Sequence, residues 1–147
     1  MIQRIQSVFL AIAGLFTFGL FALPFATTEE AIAGSNFFVD GDYDVQDHFA
    51  MLILFGVAGV ISLVTIFLYN NRPLQAKMTI FGLISNILGI VATIVLFLNF
   101  TSPVVPENSI DDGFGIYLPV VAGIFLFLAF RNINKDEKLV RSADRLR

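Results

Sequence analysis

No Asp, Glu, Lys, Arg or His interrupts the chain from Val8 to Phe25, from Phe49 to Tyr69, from Met78 to Leu98, or from Ile116 to Phe130. The second run holds about 21 residues, which as a helix reach roughly 31 Å, the thickness of a bilayer's hydrocarbon core. The third has a similar reach. The first is expected to be helical from about Ile2. The fourth reaches only about 22 Å over its apolar part, so its helix is expected to begin earlier, near Asp111 or Gly113. Carboxylates at Asp111 and Asp112 suit a helix N-terminus, and Pro119 is tolerated inside a membrane helix. The expected helices are therefore about 2–25, 49–69, 77–99 and 112–131.

Of the 147 residues, 56% are hydrophobic and 14% charged, against about a quarter charged in soluble domains. Too little polar surface exists to cover a soluble globule. The expected fold class is an all-α membrane protein, a single integral domain over 1–147 built as an antiparallel four-transmembrane-helix bundle.

Charge sorts by segment. The stretch Ala26 to His48 carries Glu29, Glu30, Asp40, Asp42, Asp44 and Asp47 with no Lys or Arg, and Asn99 to Gly115 carries Glu107, Asp111 and Asp112, again with none. All nine Lys and Arg lie elsewhere: Arg4, Arg72 and Lys77 in the turn between runs two and three, and six in the tail from Arg131. By the positive-inside rule this gives four spans with both termini cytoplasmic. The first run is expected to be retained rather than cleaved as a signal peptide. Its best cleavage position, after Ala26, has Pro24 where a small residue is needed.

In the first external segment, Asn36–Val39 and Asp42–Val45 flank Asp40-Gly41, a type I′ turn signal that predicts a small β-hairpin. In the second, Pro103 and Pro106 predict an extended stretch leaning on it. Asp40, Asp42 and Asp44 have the alternating spacing of a calcium loop's first ligands, but Val45 stands where that loop needs glycine and Met51 where it needs glutamate. In a hairpin the three carboxylates would share one face. They are weak candidates for a divalent-cation site, beside the plainer reading of a solvated acidic turn. His48 next to Asp47 reads as an interfacial polar residue at a helix start rather than a ligand.

The chain has no cysteine and one histidine. Disulfides, thiolate chemistry and a self-contained bis-histidine haem are excluded, and no cofactor is expected. The spans hold no ionisable group, whereas ion pumps and proton-coupled carriers use such groups to move charge through hydrocarbon. The polar residues within them are mild. Ser85, Gly89 and Thr93 fall four apart, with Gly82 near the same face, and Ala58 and Ser62 have the same spacing in run two. Small residues at that spacing let backbones approach, and the short turn makes runs two and three antiparallel neighbours. A packing seam of Ala58, Ser62, Gly82, Ser85, Asn86, Gly89 and Thr93 is expected, with Asn86 hydrogen-bonded across it. The competing reading is a ligand or lipid site around Asn86.

The tail 131–147 carries Ile133, Val140, Ala143 and Leu146 or Leu139 at roughly helical spacing, with Arg141 and Arg145 four apart and Lys138 on the same side. It reads as a continuation of helix four that rests on anionic lipid heads or docks onto a partner.

The opening Met1-Ile2-Gln3-Arg4-Ile5-Gln6 and the turn Asn71-Arg72-Pro73-Leu74-Gln75 resemble, together and over essentially the whole chain, an uncharacterised family of small four-helix inner-membrane proteins of Gram-negative bacteria, a domain of unknown function. Pro73 departs from that family's pattern, where a helix-compatible residue is usual. The resemblance implies a fold and no activity. Both motifs fall on the cytoplasmic side. Gln3, Arg4, Gln6, Asn71, Arg72 and Gln75 are expected to form a polar edge that hydrogen-bonds between the N-terminus and the turn, locking the helices or offering a docking surface.

No residue set supports an enzyme. The expected function is a non-enzymatic accessory, scaffold or assembly subunit of a larger membrane complex. The alternatives are a lipid or small apolar ligand binder or carrier, and an extracytoplasmic divalent-cation sensor. The expected partners are the lipid bilayer and that complex; nothing points to nucleic acid.

Overall fold

The computed structural model describes residues 3–29, 31, 37–100 and 110–144. Four helices account for most of them: α1 Gln3–Gly19, α2 Phe49–Ile66, α3 Arg72–Phe100 and α4 Leu118–Asp144. Three short strands, β1 Ala26–Thr28, β2 Asp42–Tyr43 and β3 Ile110–Asp112, lie between them in the chain. By length and apolarity, α2, α3 and the Phe114–Val140 segment can each cross a membrane; the apolar part of α1, Ile5–Gly19, is shorter.

Each helix buries one stripe whose members step alternately by four and three residues. In α1 it is Gln6, Leu10, Ala13, Thr17 and Leu20, which closes the stripe just past the helix end; in α2 it is Met51, Phe55, Ala58, Ser62 and Thr65. In α3 it is Gln75, Thr79, Gly82, Asn86 and Gly89, and in α4 Ala122, Leu126, Ala129, Ile133 and Asp136. A mean step of 3.5 keeps one seam facing its neighbours along a whole helix. The outward faces carry large apolar side chains such as Leu15, Phe67, Phe81 and Phe127, the inverse of a soluble protein's surface.

The packing runs α1 to α2 to α3 to α4 and back to α1. Small residues set the close approaches. Gly14 of α1 lies against Leu63 and Ser62, Gly59 of α2 against Phe18, Gly82 of α3 against Ile61, and Gly89 against Phe55. Rising numbers on one helix meet falling numbers on the next, so neighbours are antiparallel.

Helix ends differ from expectation in four places. α1 stops at Gly19 rather than near Phe25. Two tight backbone bonds, Phe21 N–H to Phe18 O and Ala22 N–H to Gly19 O (3.1 Å each), turn the chain, and Pro24 disfavours helix at the residue before it. α2 stops at Ile66, where the N–H groups of Phe67 and Leu68 bond to the carbonyls three residues back. α3 begins at Arg72, earlier than expected. Asn71 Oδ1 accepts from Leu74 N–H at 3.2 Å as its cap, and Pro73 sits in the first turn, where a missing N–H costs nothing. α4 begins at Leu118, after a 3-10 turn over Phe114–Ile116; Asp111 and Asp112 are strand residues and not its N-terminus.

The sheet also differs. The expected Asp40-Gly41 hairpin does not form. β1 is the central strand, antiparallel to β2 and to β3, in the order β2-β1-β3. A type I′ turn needs positive φ at both central residues, and among the described residues only Gly41 has it, at +92°. Gly41 instead closes onto Thr28, whose N–H bonds to its carbonyl at 2.7 Å. Phe37 and Phe38 are buried rather than paired as a strand, their rings 5.2 and 6.2 Å from that of Tyr43. Val45 opens a 3-10 turn. Asn36 and the stretch with Pro103, Pro106 and Glu107 lie outside the described residues.

The three strands sit at one end of the helices, over an aromatic core. Tyr43 is central: Phe25, Phe37 and Phe97 lie within 5.7 Å of it, ring centre to ring centre. Two glycines fix the lid. Gly113 N–H bonds to Phe25 O and Gly115 N–H to Pro24 O, both at 2.9 Å, and a Cβ on either would collide with the backbone at Pro24.

Candidate functional site

Buried polar groups fall into three places along the helices. In the middle, two neighbouring side chains of α3 bond to two different helices. Ser85 Oγ donates to Leu54 O of α2 at 2.7 Å, and Asn86 Nδ2 donates to Pro119 O of α4 at 2.9 Å. One residue advances a helix by about 100°, so adjacent residues cannot face the same neighbour. The α2–α3 contact holds Ala58, Gly82, Ser85, Gly89 and Thr93, while two residues depart from the expected seam: Ser62 lies against Gly14 of α1, and Asn86 joins α3 to α4. Ser62 Oγ bonds back to Ala58 O at 2.7 Å, and Thr93 Oγ1 to Gly89 O at 3.0 Å. Gly123 of α4 leaves room for the amide; a Cβ there would stand 3.1 Å from Asn86 Nδ2. Asn86 Oδ1 is buried with no partner.

At the end remote from the sheet, the seams become polar. Gln6 Nε2 donates to a carboxylate oxygen of Asp136, and both residues are buried. Gln75 Nε2 donates to Thr65 O at 3.1 Å, closing the α2–α3 turn from inside, and Thr79 Oγ1 bonds to Gln75 O at 2.8 Å. Gln6 Oε1 and Thr65 Oγ1 are buried without partners. The expected edge is therefore rearranged. Gln6 reaches α4 and Gln75 reaches α2, where bonds between the N-terminus and the turn were expected. Asn71 caps α3, and Arg72 is half-buried in its first turn. The side chains of Gln3 and Arg4 lie outside the described residues. Asp136 was missed in the sequence because it sits in a charged run. The signal was the four-three stripe of α4, which continues past its apolar part to Asp136.

Both glutamines belong to the two motifs that carried the resemblance, and the sequence model of a family described as a domain of unknown function (DUF4293) matches residues 2–146. The chain belongs to that family. No curated protein matches it, and no solved structure does.

At the sheet end of this DUF4293 protein, two of the three candidate carboxylates, those of Asp40 and Asp44, serve local structure. Asp40 Oδ1 accepts from Asp42 N–H at 3.3 Å, and Asp44 Oδ1 accepts from Gln46 N–H at 2.6 Å. Asp44 N–H in turn donates to Asp47 Oδ2 at 2.7 Å, a reciprocal capping box on the 3-10 turn. The expected shared face for Asp40, Asp42 and Asp44 fails because β2 ends at Tyr43. Among the described residues no three His, Cys, Asp or Glu gather as a metal site. His48 caps α2, its Nδ1 accepting from Ala50 N–H at 3.2 Å.

Burial pushes the Asp47 carboxyl up to about 6, helped by the negative charges of Asp44, Asp40 and Asp42 and opposed by the Asp44 N–H. Burial also raises the Tyr43 phenol, with Asp47 adding to the shift. The Tyr43 hydroxyl donates to Thr93 O at 2.9 Å and tethers the lid to α3.

Beneath β1 and β3 the DUF4293 fold leaves a cavity of about 300 Å³ between α3 and α4. Its floor is Phe25, Tyr43, Thr93 and Phe97; Ile94, Leu98, Ile116 and Val120, all exposed, mark its mouth.

Proposed function

We propose that this DUF4293 protein is a four-span protein of the bacterial inner membrane, both termini cytoplasmic, acting as a non-enzymatic accessory or scaffold subunit of a larger membrane complex. The observation that carries this reading is the length of α4. It continues as one helix well past its apolar part to Asp144. On that extension Leu139 and Val140 are 52% and 44% exposed, beside the basic Lys135 and Lys138. A surface helix would use the same basic residues and the same apolar pair, so it is the reach of the helix beyond its apolar part that favours a partner. An acidic, partly apolar cytoplasmic segment of a neighbouring subunit suits both.

Charge supports the orientation. Arg72, Lys77 and the basic residues of α4 lie at the end remote from the sheet, and Asp40, Asp42, Asp44, Asp47, Asp111 and Asp112 lie with the strands. The buried bonds between helices favour a rigid part rather than a moving one.

The test is mild-detergent purification of a tagged copy from its native host. A stoichiometric co-purifying membrane protein, lost in the double variant Leu139→Glu/Val140→Glu while that variant still inserts and folds, is expected. A copy that purifies alone before and after the change refutes the subunit reading.

A further inference from the structure

The cavity between α3 and α4 opens sideways, away from the helix seams, through a mouth whose side chains face outward. On the membrane-spanning reading above, that direction is into the lipid of the outer half of the bilayer. Its volume of about 300 Å³ stands at the lower end of ligand sites. A methylene takes roughly the ~30 Å³ share of a liquid water, so about ten carbons fit. The floor's polar atoms are already engaged: the Tyr43 hydroxyl with Thr93 O, and Thr93 Oγ1 with Gly89 O. The space therefore suits an apolar chain and offers little to a polar ligand.

The rim adds selectivity. Among the described residues lining the cavity, Asp112 is the only charged one, and it is exposed beside Asp111. No Lys or Arg occurs in either acidic segment, Ala26 to His48 or Asn99 to Gly115. A headgroup there meets carboxylates without a compensating cation, which favours an ammonium and repels a net anionic head.

We infer that this cavity holds one acyl chain of a bilayer phospholipid whose headgroup carries a primary ammonium, seated against Asp112. The inference rests on the membrane reading and is independent of the subunit role.

The chain contains no tryptophan, so single tryptophans report without background. Ile116→Trp places one at the mouth. Phe49→Trp places one at the exposed start of α2, at the same end but outside the cavity. The full chain is reconstituted in vesicles mixing phosphatidylethanolamine and phosphatidylglycerol, with bromine on the acyl chains of one lipid and then of the other. At Ile116→Trp, brominated phosphatidylethanolamine is expected to quench roughly threefold more effectively than brominated phosphatidylglycerol, the scale of an exposed ion pair; at Phe49→Trp the two should match. Adding Asp112→Asn should erase the preference, and Val120→Phe, which fills the mouth and keeps the charge, should lower quenching by both lipids. Equal quenching at the two reporters, or a phosphatidylglycerol preference at the mouth, overturns the inference. A Phe49→Trp reporter that neither lipid quenches overturns the membrane reading itself.

Discussion

Gln6 and Asp136 stand 130 positions apart in the chain and share one buried hydrogen bond. Each is the last described member of its helix's inner stripe at the end remote from the sheet, so the bond fastens the start of α1 to the extension of α4. A hydrogen bond to a charged group is worth about 1.5–3 kcal/mol, and removing one partner leaves the other desolvated. Gln6→Leu should therefore lower the melting temperature more than the double variant Gln6→Leu/Asp136→Leu. Thermal unfolding in one detergent ranks them; the reverse order would show that Asp136 is held by something else.

Asn86 gives a second comparison. Asn86→Ala removes the bond to Pro119 O and opens a void, and should cost about 1–3 kcal/mol. Asn86→Leu fills the space and removes the partnerless Oδ1, and should cost less than about 1 kcal/mol. Denaturant unfolding of the two variants side by side checks the difference.

Gly113→Ala and Gly115→Ala should each destabilise the lid, because the added methyl meets the backbone at Pro24 rather than a side chain that can swing away. Overpacking of this kind costs about 1–3 kcal/mol. Hydrogen exchange should show protection lost at Ala26–Thr28 and Ile110–Asp112 while α2 stays protected.

Acid should stabilise the sheet end. The Asp47 carboxyl is raised to about 6 in the fold from its ordinary 3.8. The native state then holds the extra proton between these values, and stability falls as pH rises through that window. The contribution is full below the lower value and gone above the upper. The melting temperature should be higher at pH 4.5 than at pH 7, and Asp47→Asn should flatten that dependence.

Absence of cysteine makes orientation directly measurable. In spheroplasts, a membrane-impermeant maleimide should label Asp40→Cys and leave Ser142→Cys unlabelled until the membrane is opened. The opposite pattern would invert the assigned topology.

The apolar runs made the helices legible, because hydrocarbon leaves a backbone few other options. The ends were less so, since turns there answer to distant partners. Asp111 and Asp112 read as a helix start, yet the free edge of β1 takes their backbone. Asp40-Gly41 read as a hairpin, yet Tyr43 draws Phe37 and Phe38 into the core, where their rings gain more than a two-strand ribbon would. Small residues four apart fall at the α2–α3 contact at Ala58, Gly82, Ser85 and Gly89, but spacing alone does not say that Ser62 looks toward α1 or that Asn86, one step beyond Ser85, looks toward α4. The edge residues Gln6 and Gln75 were legible as polar groups on the basic side. Their partners Asp136 and Thr65 were not, since one hid among tail charges and the other contributes only a carbonyl.

The central strand β1 takes one neighbour from just before α2 and the other from just before α4. During synthesis its second edge stays open until about eighty further residues have emerged, a long-range closure that comes late by its loop entropy. The lid is thus complete only once the segment just before the last helix is delivered. A chain cut short before Ile110 would display an unpaired strand edge, a template on which another chain can pair.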